Sequence, residues 1–193
     1  EKQSDKFSMY ENILVLFIQL LSLTKSNDYD IPKLHELNAY SPNREENKNL
    51  INLFEPLFNA YNAELANLKQ IDFDDMINHA AKYIKNGDFK CAYKYVIVDE
   101  YQDISSSRFN LIHSLRDTNN FHLFCVGDDW QSIYRFSGSD VSYILNFEKY
   151  WGKSKTSYIE TTYRFPERLI EASGSFIMEN PNQIRKNIRT KST

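Results

Sequence analysis

The chain has 193 residues and a formal net charge of -3, with 41% hydrophobic and 25% charged residues. That composition suits a soluble globular protein with a sizeable core and argues against disorder. No global basic field is present, so any nucleic-acid contact must be local, made by a few Arg or Lys beside exposed rings. The length fits one domain, or one domain with an insertion. Aromatic residues reach 15%, which permits stacking on bases, although most of the rings are expected in the core. Cys91 and Cys125 make neither a metal pair nor a disulfide framework. Cys125, inside the apolar run Phe121–Val126, reads as a small buried hydrophobe, and a reduced cytoplasmic compartment is the simplest setting. His35, His79, His113 and His122 lack ligand spacing and read as structural or exposed. No signal peptide is evident. The apolar run Ile13–Leu23 is interrupted by Gln19 and Ser22 and is too short to span a bilayer, so no membrane partner is expected.

In chain order, Phe7–Leu23 is apolar nearly all round at helical spacing and predicts a well-buried helix. Ser26–Pro32, with Asn27, Asp28 and Asp30, is a loop, and Ile31–Ala39 a short helix. Pro42 and the acids after it open a helix reaching about Lys69. Leu50, Leu53, Leu57, Tyr61, Leu65 and Leu68 would line one face, and Pro56 should kink or restart it. Asp72-Phe-Asp-Asp-Met76 starts another helix, capped by Asp72 or Asp74, which stops at Asn86-Gly-Asp88. Up to this point there is no strand signal. Tyr95–Val98 is then a β-branched run expected as a strand buried on both faces. Ser105–Arg116 is a helix, and Phe121–Val126 a second buried strand. Asp140–Tyr150 is a helix capped by Ser139 or Asp140, Thr156–Glu160 a third strand, and Pro166–Met178 a helix with Pro at its start. The polar tail from Asn180, with Arg185, Lys186, Arg189 and Lys191, is expected to be poorly ordered or to begin a further domain. Strand, helix, strand, helix, strand is a parallel α/β pattern.

Three stretches carry chemistry. Lys94-Tyr-Val-Ile-Val-Asp-Glu-Tyr-Gln-Asp103 ends its strand in acid, and ligands in open α/β sheets bind at the carboxyl ends of strands. Asp99 and Glu100 therefore fit either a solvated loop or a pair in which one carboxylate holds Mg2+ through its waters and the other orients a nucleophilic water. Gly127 is followed by Asp128 and Asp129, then by Trp130-Gln-Ser-Ile-Tyr-Arg-Phe-Ser-Gly138. There, Arg135 between Tyr134 and Phe136 suits a single-strand platform, with bases on rings and a cation on phosphate. Spacing alone favours one ring in the core and one exposed. Thr162-Tyr-Arg-Phe-Pro166 alone would be a strand-to-helix turn. Asp103, Asp128 and Asp129 fit structural or supporting acids equally.

Together, in this order, Val98–Ile104, Val126–Gly138 and Thr162–Pro166 resemble three successive motifs of the UvrD/Rep type of superfamily 1 DNA helicases, the first being the Walker B segment. The wording of the second most resembles the helicase IV branch. The likeness covers the second half of the chain well and the first loosely. It implies part of a RecA-like P-loop NTPase motor domain, preceded by an all-helical accessory segment. Residues 1–70 would be the end of the accessory domain 1B, 71–180 the C-terminal part of motor domain 1A, and 181–193 a polar tail towards a second motor domain. It further implies that Asp99 holds the Mg2+ of MgATP, Glu100 activates the attacking water and Gln131 senses the γ-phosphate. Tyr163 would stack near the adenine, Arg164 would reach the γ-phosphate, and Tyr134, Arg135 and Phe136 would contact single-stranded DNA. Phe136, Ser137 and Thr162 stand where many relatives carry Trp, Arg and Asn.

The implied activity is ATP-driven translocation along single-stranded DNA, 3'-to-5' by family analogy. Such an enzyme needs a Gly-x-x-x-x-Gly-Lys-Ser/Thr loop. Gly152-Lys153-Ser154 has Phe147 at its leading position and lies between a helix and a strand, the wrong order. The chain thus resembles a middle piece of a longer helicase, expected to be inactive alone. Two other classes stay open: a non-hydrolysing DNA- or partner-binding module of the same fold, and a metal phosphohydrolase on Asp99, Glu100, Asp103, Asp128 and Asp129. The helicase reading requires Glu100, Gln131 and Arg164 to converge at one rim of a single sheet.

Overall fold

A computed structural model describes residues 2–191, and the side chains of 10–191. Four helices come first: α1 (Lys2–Ser26), α2 (Ile31–Asn38), α3 (Arg44–Leu68) and α4 (Phe73–Lys85). Each start has a local cause. The Asp30 carboxylate accepts the Lys33 amide, and Asp72 accepts the Asp75 amide, each at 2.8 Å. These caps satisfy N–H groups that a helix end otherwise leaves open. α3 runs unbroken through Pro56, so the helix does not restart there. Its packed stripe is also offset from the expected leucine row. Phe54 is buried and Phe58, Tyr61 and Leu65 half-buried, whereas Leu53, Leu57 and Leu68 face outward.

The expectation of a well-buried first helix does not hold. Tyr10, Ile13, Leu14, Val15, Leu16 and Ile18 are exposed, and among the described side chains of α1 only the last turn, Thr24–Ser26, is buried, residues 7–9 lying outside the described side chains. There the Lys25 ammonium, 6% exposed, meets Asp72 at 2.5 Å and Asp75 at 2.8 Å. Asn62 Oδ1 accepts from Lys25 at 3.3 Å, and Tyr61 donates to Asp72 at 3.1 Å. One cation therefore staples α1, α3 and α4, because a buried charge must be paired to be tolerated.

The α/β part begins with β1 (Tyr95–Val98), α5 (Ser106–Thr118) and β2 (His122–Cys125). β1 and β2 pair in parallel, Tyr95 with His122 through Val98 with Cys125. Val98 and Cys125 turn to a cluster of Tyr101, Ile104 and Phe109, closed by Ile144, Phe147 and Trp151. The opposite face is open, with Tyr95, Ile97 and Phe124 exposed. Both strands are thus covered on one side only, against the expectation of burial on both. The helix expected over Asp140–Tyr150 is two short ones, α6 (Ser142–Leu145) and α7 (Phe147–Trp151), broken at Asn146.

The third strand is displaced as well. No strand forms over Thr156–Glu160. Instead β3 (Thr161–Thr162) pairs in parallel with β4 (Arg189–Thr190) in a separate two-stranded sheet, on either side of α8 (Glu167–Ile177). The tail, expected to be poorly ordered or to start a further domain, supplies β4 and is hydrogen-bonded back as far as Lys191.

Candidate nucleotide and nucleic-acid site

β1 delivers Asp99 and Glu100 to its carboxyl end. Both are exposed. Glu100 sits at φ 50, ψ 44, the left-handed region that costs a residue with a Cβ about 1 kcal/mol or more and clusters at functional sites. The kink turns the chain into a 3-10 turn, Tyr101–Asp103, and sends Tyr101 inward, where its hydroxyl accepts the Trp151 indole N–H at 2.7 Å. Burial pushes the Tyr101 phenol well above its usual range.

The next residue ties the site together. Gln102 is 1% exposed. Its amide donates to Glu100 Oε2 at 2.8 Å and to Asp103 Oδ2 at 3.3 Å, while its carbonyl oxygen accepts the Asp128 backbone N–H at 2.9 Å. Asp128 Oδ2 in turn accepts from the Gln131 side-chain amide at 2.7 Å. A continuous hydrogen-bonded chain, Glu100–Gln102–Asp128–Gln131, therefore joins the ends of β1 and β2. Gly127 makes the approach possible: a Cβ there would stand 2.8 Å from Gln102 Oε1 and 2.9 Å from Ile144 Cδ1.

The acids differ in electrostatic state. Burial pushes the Asp103 carboxyl up and the nearby Glu100 adds to it, with the Gln102 hydrogen bond opposing. Asp103 Oδ1 is buried without a hydrogen-bond partner among the described residues. Burial also acts upward on Asp128, but hydrogen bonds from Lys186 and Gln131 outweigh it and hold that carboxyl below its usual range. Asp129 is 1% exposed and accepts from Lys186 at 2.6 Å and from the Ile184 backbone N–H at 2.8 Å.

Asp99 Oδ1 accepts the Glu100 N–H at 2.9 Å, and its second oxygen takes no hydrogen bond among the described residues. A single open carboxylate at a strand end fits Mg2+, which keeps several waters and takes one or two carboxylates beside phosphate oxygens. Among the described residues, no three or more His, Cys, Asp and Glu are grouped to hold a metal on their own.

Tyr163 and Arg164 lie exposed in the loop between β3 and α8, and the guanidinium has no partner among the described residues. They follow β3, which pairs with β4 and not with β1 or β2, so the expected single sheet is two small ones. The link between the two is the tail, which touches Asp128, Asp129 and Trp130 at one end and pairs with β3 at the other. Gly152-Lys153-Ser154 follows α7, and its Ser154 amide and hydroxyl both bond Glu148 Oε1. Donors already held by a carboxylate make a poor phosphate cradle.

Tyr134 and Phe136 are both exposed, Phe136 at 72%, with ring centroids 6.0 Å apart and Arg135 exposed between them. Neither ring is in the core. The turn that carries them ends at Gly138, φ 92, where a Cβ would collide with Ser26 Oγ at the end of α1. Sequence reasoning missed Gln102 as a bridge, together with Trp130 and Lys186. Gln102 lies inside a recognised motif, but nothing local marks it as buried. Lys186 lies 58 residues from Asp128 and carries no local signal.

Comparison with known proteins gives consistent results. Residues 3–151 match the UvrD/REP helicase N-terminal domain. DNA helicase IV of Escherichia coli (strain K12) is 40% identical over 137 residues, 70% of this chain and 20% of that protein. The putative ATP-dependent DNA helicase YjcD of Bacillus subtilis (strain 168) is 31% identical over 162 residues, 78% of this chain and 21% of the relative. ATP-dependent DNA helicase PcrA of the same organism is 33% identical over 137 residues, covering 68% and 18%. The chain spans about a fifth of the length of these relatives.

Proposed function

The chain belongs to the UvrD/REP helicase N-terminal domain family, and from that premise we propose that it is part of an ATP-dependent DNA helicase that moves 3'-to-5' on single-stranded DNA. On this reading residues 1–70 close a helical accessory domain. Residues 71–180 form the C-terminal part of a RecA-like motor domain, and 181–193 lead onward. The observation that carries the proposal is the bonded chain from Glu100 through Gln102 and Asp128 to Gln131. It ties an acid and a neutral amide together through two intervening residues at adjacent strand ends.

Asp99 would hold Mg2+, which when bound neutralises part of the phosphate charge. Glu100 orients the attacking water and takes its proton. Gln131, with a donor and an acceptor on one planar group, bonds that water and a phosphate oxygen together. Arg164 follows β3 in the second sheet, which the tail ties to the Gln131 turn, and it would bring a permanent positive charge to the oxygen where negative charge grows. Tyr163 would stack near the adenine. Tyr134 and Phe136 offer ring faces to bases and Arg135 tracks phosphate, an arrangement that tolerates any base sequence.

The test is Glu100→Gln in the intact protein. Single-strand-stimulated ATP hydrolysis should fall roughly 10²- to 10⁴-fold, the usual contribution of a positioned base, while binding of oligonucleotide is retained. Unchanged hydrolysis would overturn the assignment. An intact protein that binds DNA but never turns over ATP would favour a non-hydrolysing binding module. The 193 residues alone should not turn over ATP, because the only Gly-Lys-Ser in the chain is bonded to Glu148.

A further inference from the structure

Ile184 is clamped at both its backbone polar groups. Its N–H donates to Asp129 Oδ2 at 2.8 Å, and its C=O accepts the Trp130 indole N–H at 2.8 Å. Two residues on, the Lys186 ammonium bonds Asp128 Oδ1 and Asp129 Oδ1 and lies 5.1 Å over the Trp130 ring. Three residues further, Arg189 donates its N–H to Glu160 O at 2.7 Å as β4 pairs with β3, and the Thr190 hydroxyl donates to Phe165 O at 2.7 Å. One short segment thus grips the Gln131 turn at one end and the strand before Tyr163 and Arg164 at the other.

We propose that Ile184–Thr190 is a strap that makes the Gln131 turn and the Tyr163–Arg164 loop move together, with Lys186 as the positioning residue for Gln131. The proposal rests on the helicase reading for its catalytic consequence. Its mechanical content rests on the contacts alone.

The lever is the Asp128 carboxylate. One oxygen holds the Gln131 amide, and the other is held by Lys186 and, at 3.0 Å, by the Trp130 backbone N–H. A carboxylate is rigid and planar, so fixing one oxygen fixes the other. Lys186 thereby sets where Gln131 points. Asp129 beneath is 1% exposed, so Lys186 cannot leave without stranding a buried carboxylate. The ammonium therefore follows the turn, and β4 follows the ammonium. Any shift of the Arg164 loop is passed to Gln131 through the seven residues of the strap.

The experiment uses the intact protein with Lys186→Met and Lys186→Arg. Single-strand-stimulated ATPase of Lys186→Met should lose kcat roughly tenfold or more, the scale of a reacting group held slightly out of place. KM for ATP should change little, and Lys186→Arg should recover most of the loss. Combined with Gln131→Ala, Lys186→Met should cost nothing further, since both act on the same group. An unchanged kcat, no recovery by Arg, or losses that multiply would each overturn the positioning role. Should Lys186→Met not fold, Asp128→Asn, which retains the Lys186–Asp129 pair, should show the same kcat loss; an unaltered kcat overturns the proposal. If the wild-type protein shows no such ATPase, the helicase reading fails on its own. Hydrogen exchange at the Trp130 indole then decides the strap, faster exchange in Lys186→Met sustaining it and unchanged exchange overturning it.

Discussion

At the scale of single residues, two backbone positions shape the site. Glu100 adopts a left-handed conformation without being glycine, and the turn it makes leaves its carboxylate in solvent while Tyr101 and Gln102 are buried. Gly127 is the complement. Its lack of a Cβ lets Gln102 reach the Asp128 amide, and a Cβ would also meet Ile144 Cδ1 and the Gln102 backbone. Gly127→Ala should therefore lower the chemical-denaturation midpoint by an amount equivalent to about 1–3 kcal/mol, the usual cost of overpacking. In the intact protein it should weaken ATP hydrolysis further than that loss of stability explains. Wild-type stability in Gly127→Ala would show that Gln102 has room to move. The motif glycine was visible in the sequence. Its partner was not, because a buried glutamine looks like any other polar residue in a turn.

At the scale of elements, α2, α4 and α5 obeyed their local start signals, while the helix expected over Asp140–Tyr150 broke into α6 and α7 and the packing of α1 and α3 departed from their spacing. Asp30, Asp72 and Ser105 cap α2, α4 and α5 through their side chains. Each cap is short-range chemistry that can be read from neighbours alone. By contrast, hydrophobic spacing on α1 and α3 indicated helices but misplaced their buried faces, since periodicity does not say which neighbour will be present. The staple at Lys25 is a contact between elements. Lys25→Met should destabilise the chain by about 2–3 kcal/mol, somewhat less than for a wholly buried pair because the two carboxylates keep some water. Thermal or chemical unfolding would measure it. Burial works against both charges, yet hydrogen bonds and opposite charge leave the Lys25 ammonium raised above 10.5 and the Asp72 carboxyl lowered below 3.8. The lysine contribution is complete below 10.5 and is lost as pH rises through the higher folded value. The aspartate contribution is complete above 3.8 and is lost as pH falls through the lower folded value. The difference in stability between wild type and Lys25→Met should therefore stay flat from about pH 5 to 9 and shrink at either extreme. A difference that varied steadily across neutral pH would contradict the staple.

At the scale of the whole molecule, apolar faces are uncovered among the described residues, notably the outer face of β1 and β2, with Ile97 71% exposed, and α1 from Tyr10 to Ile18. Contiguous apolar surface of this kind drives association in water. The 193 residues in isolation should self-associate at micromolar concentration, and Ile97→Thr with Phe124→Thr should reduce this in sedimentation velocity without loss of helicity by circular dichroism. A monodisperse monomer in the unmodified chain would show that these faces cover one another in solution. Among the described residues, no helix is long and apolar enough to cross a membrane.

The amino-acid order by itself determined the starts of α2, α4 and α5, the β1 and β2 segments and the strand-end acids, because each depends on residues within a turn or two of one another. It also determined the family, through three short motifs in fixed succession. Only the tertiary structure decided that Gln102 bridges Glu100 to Asp128, that both Tyr134 and Phe136 face outward, and that Lys186 closes on Asp128 and Asp129 from 58 residues away. It also placed the third strand beside the tail rather than beside β1. These outcomes depend on which distant segments compete for the same buried volume and the same unpaired charge. That competition is settled over the whole chain and leaves no mark in any short window of residues.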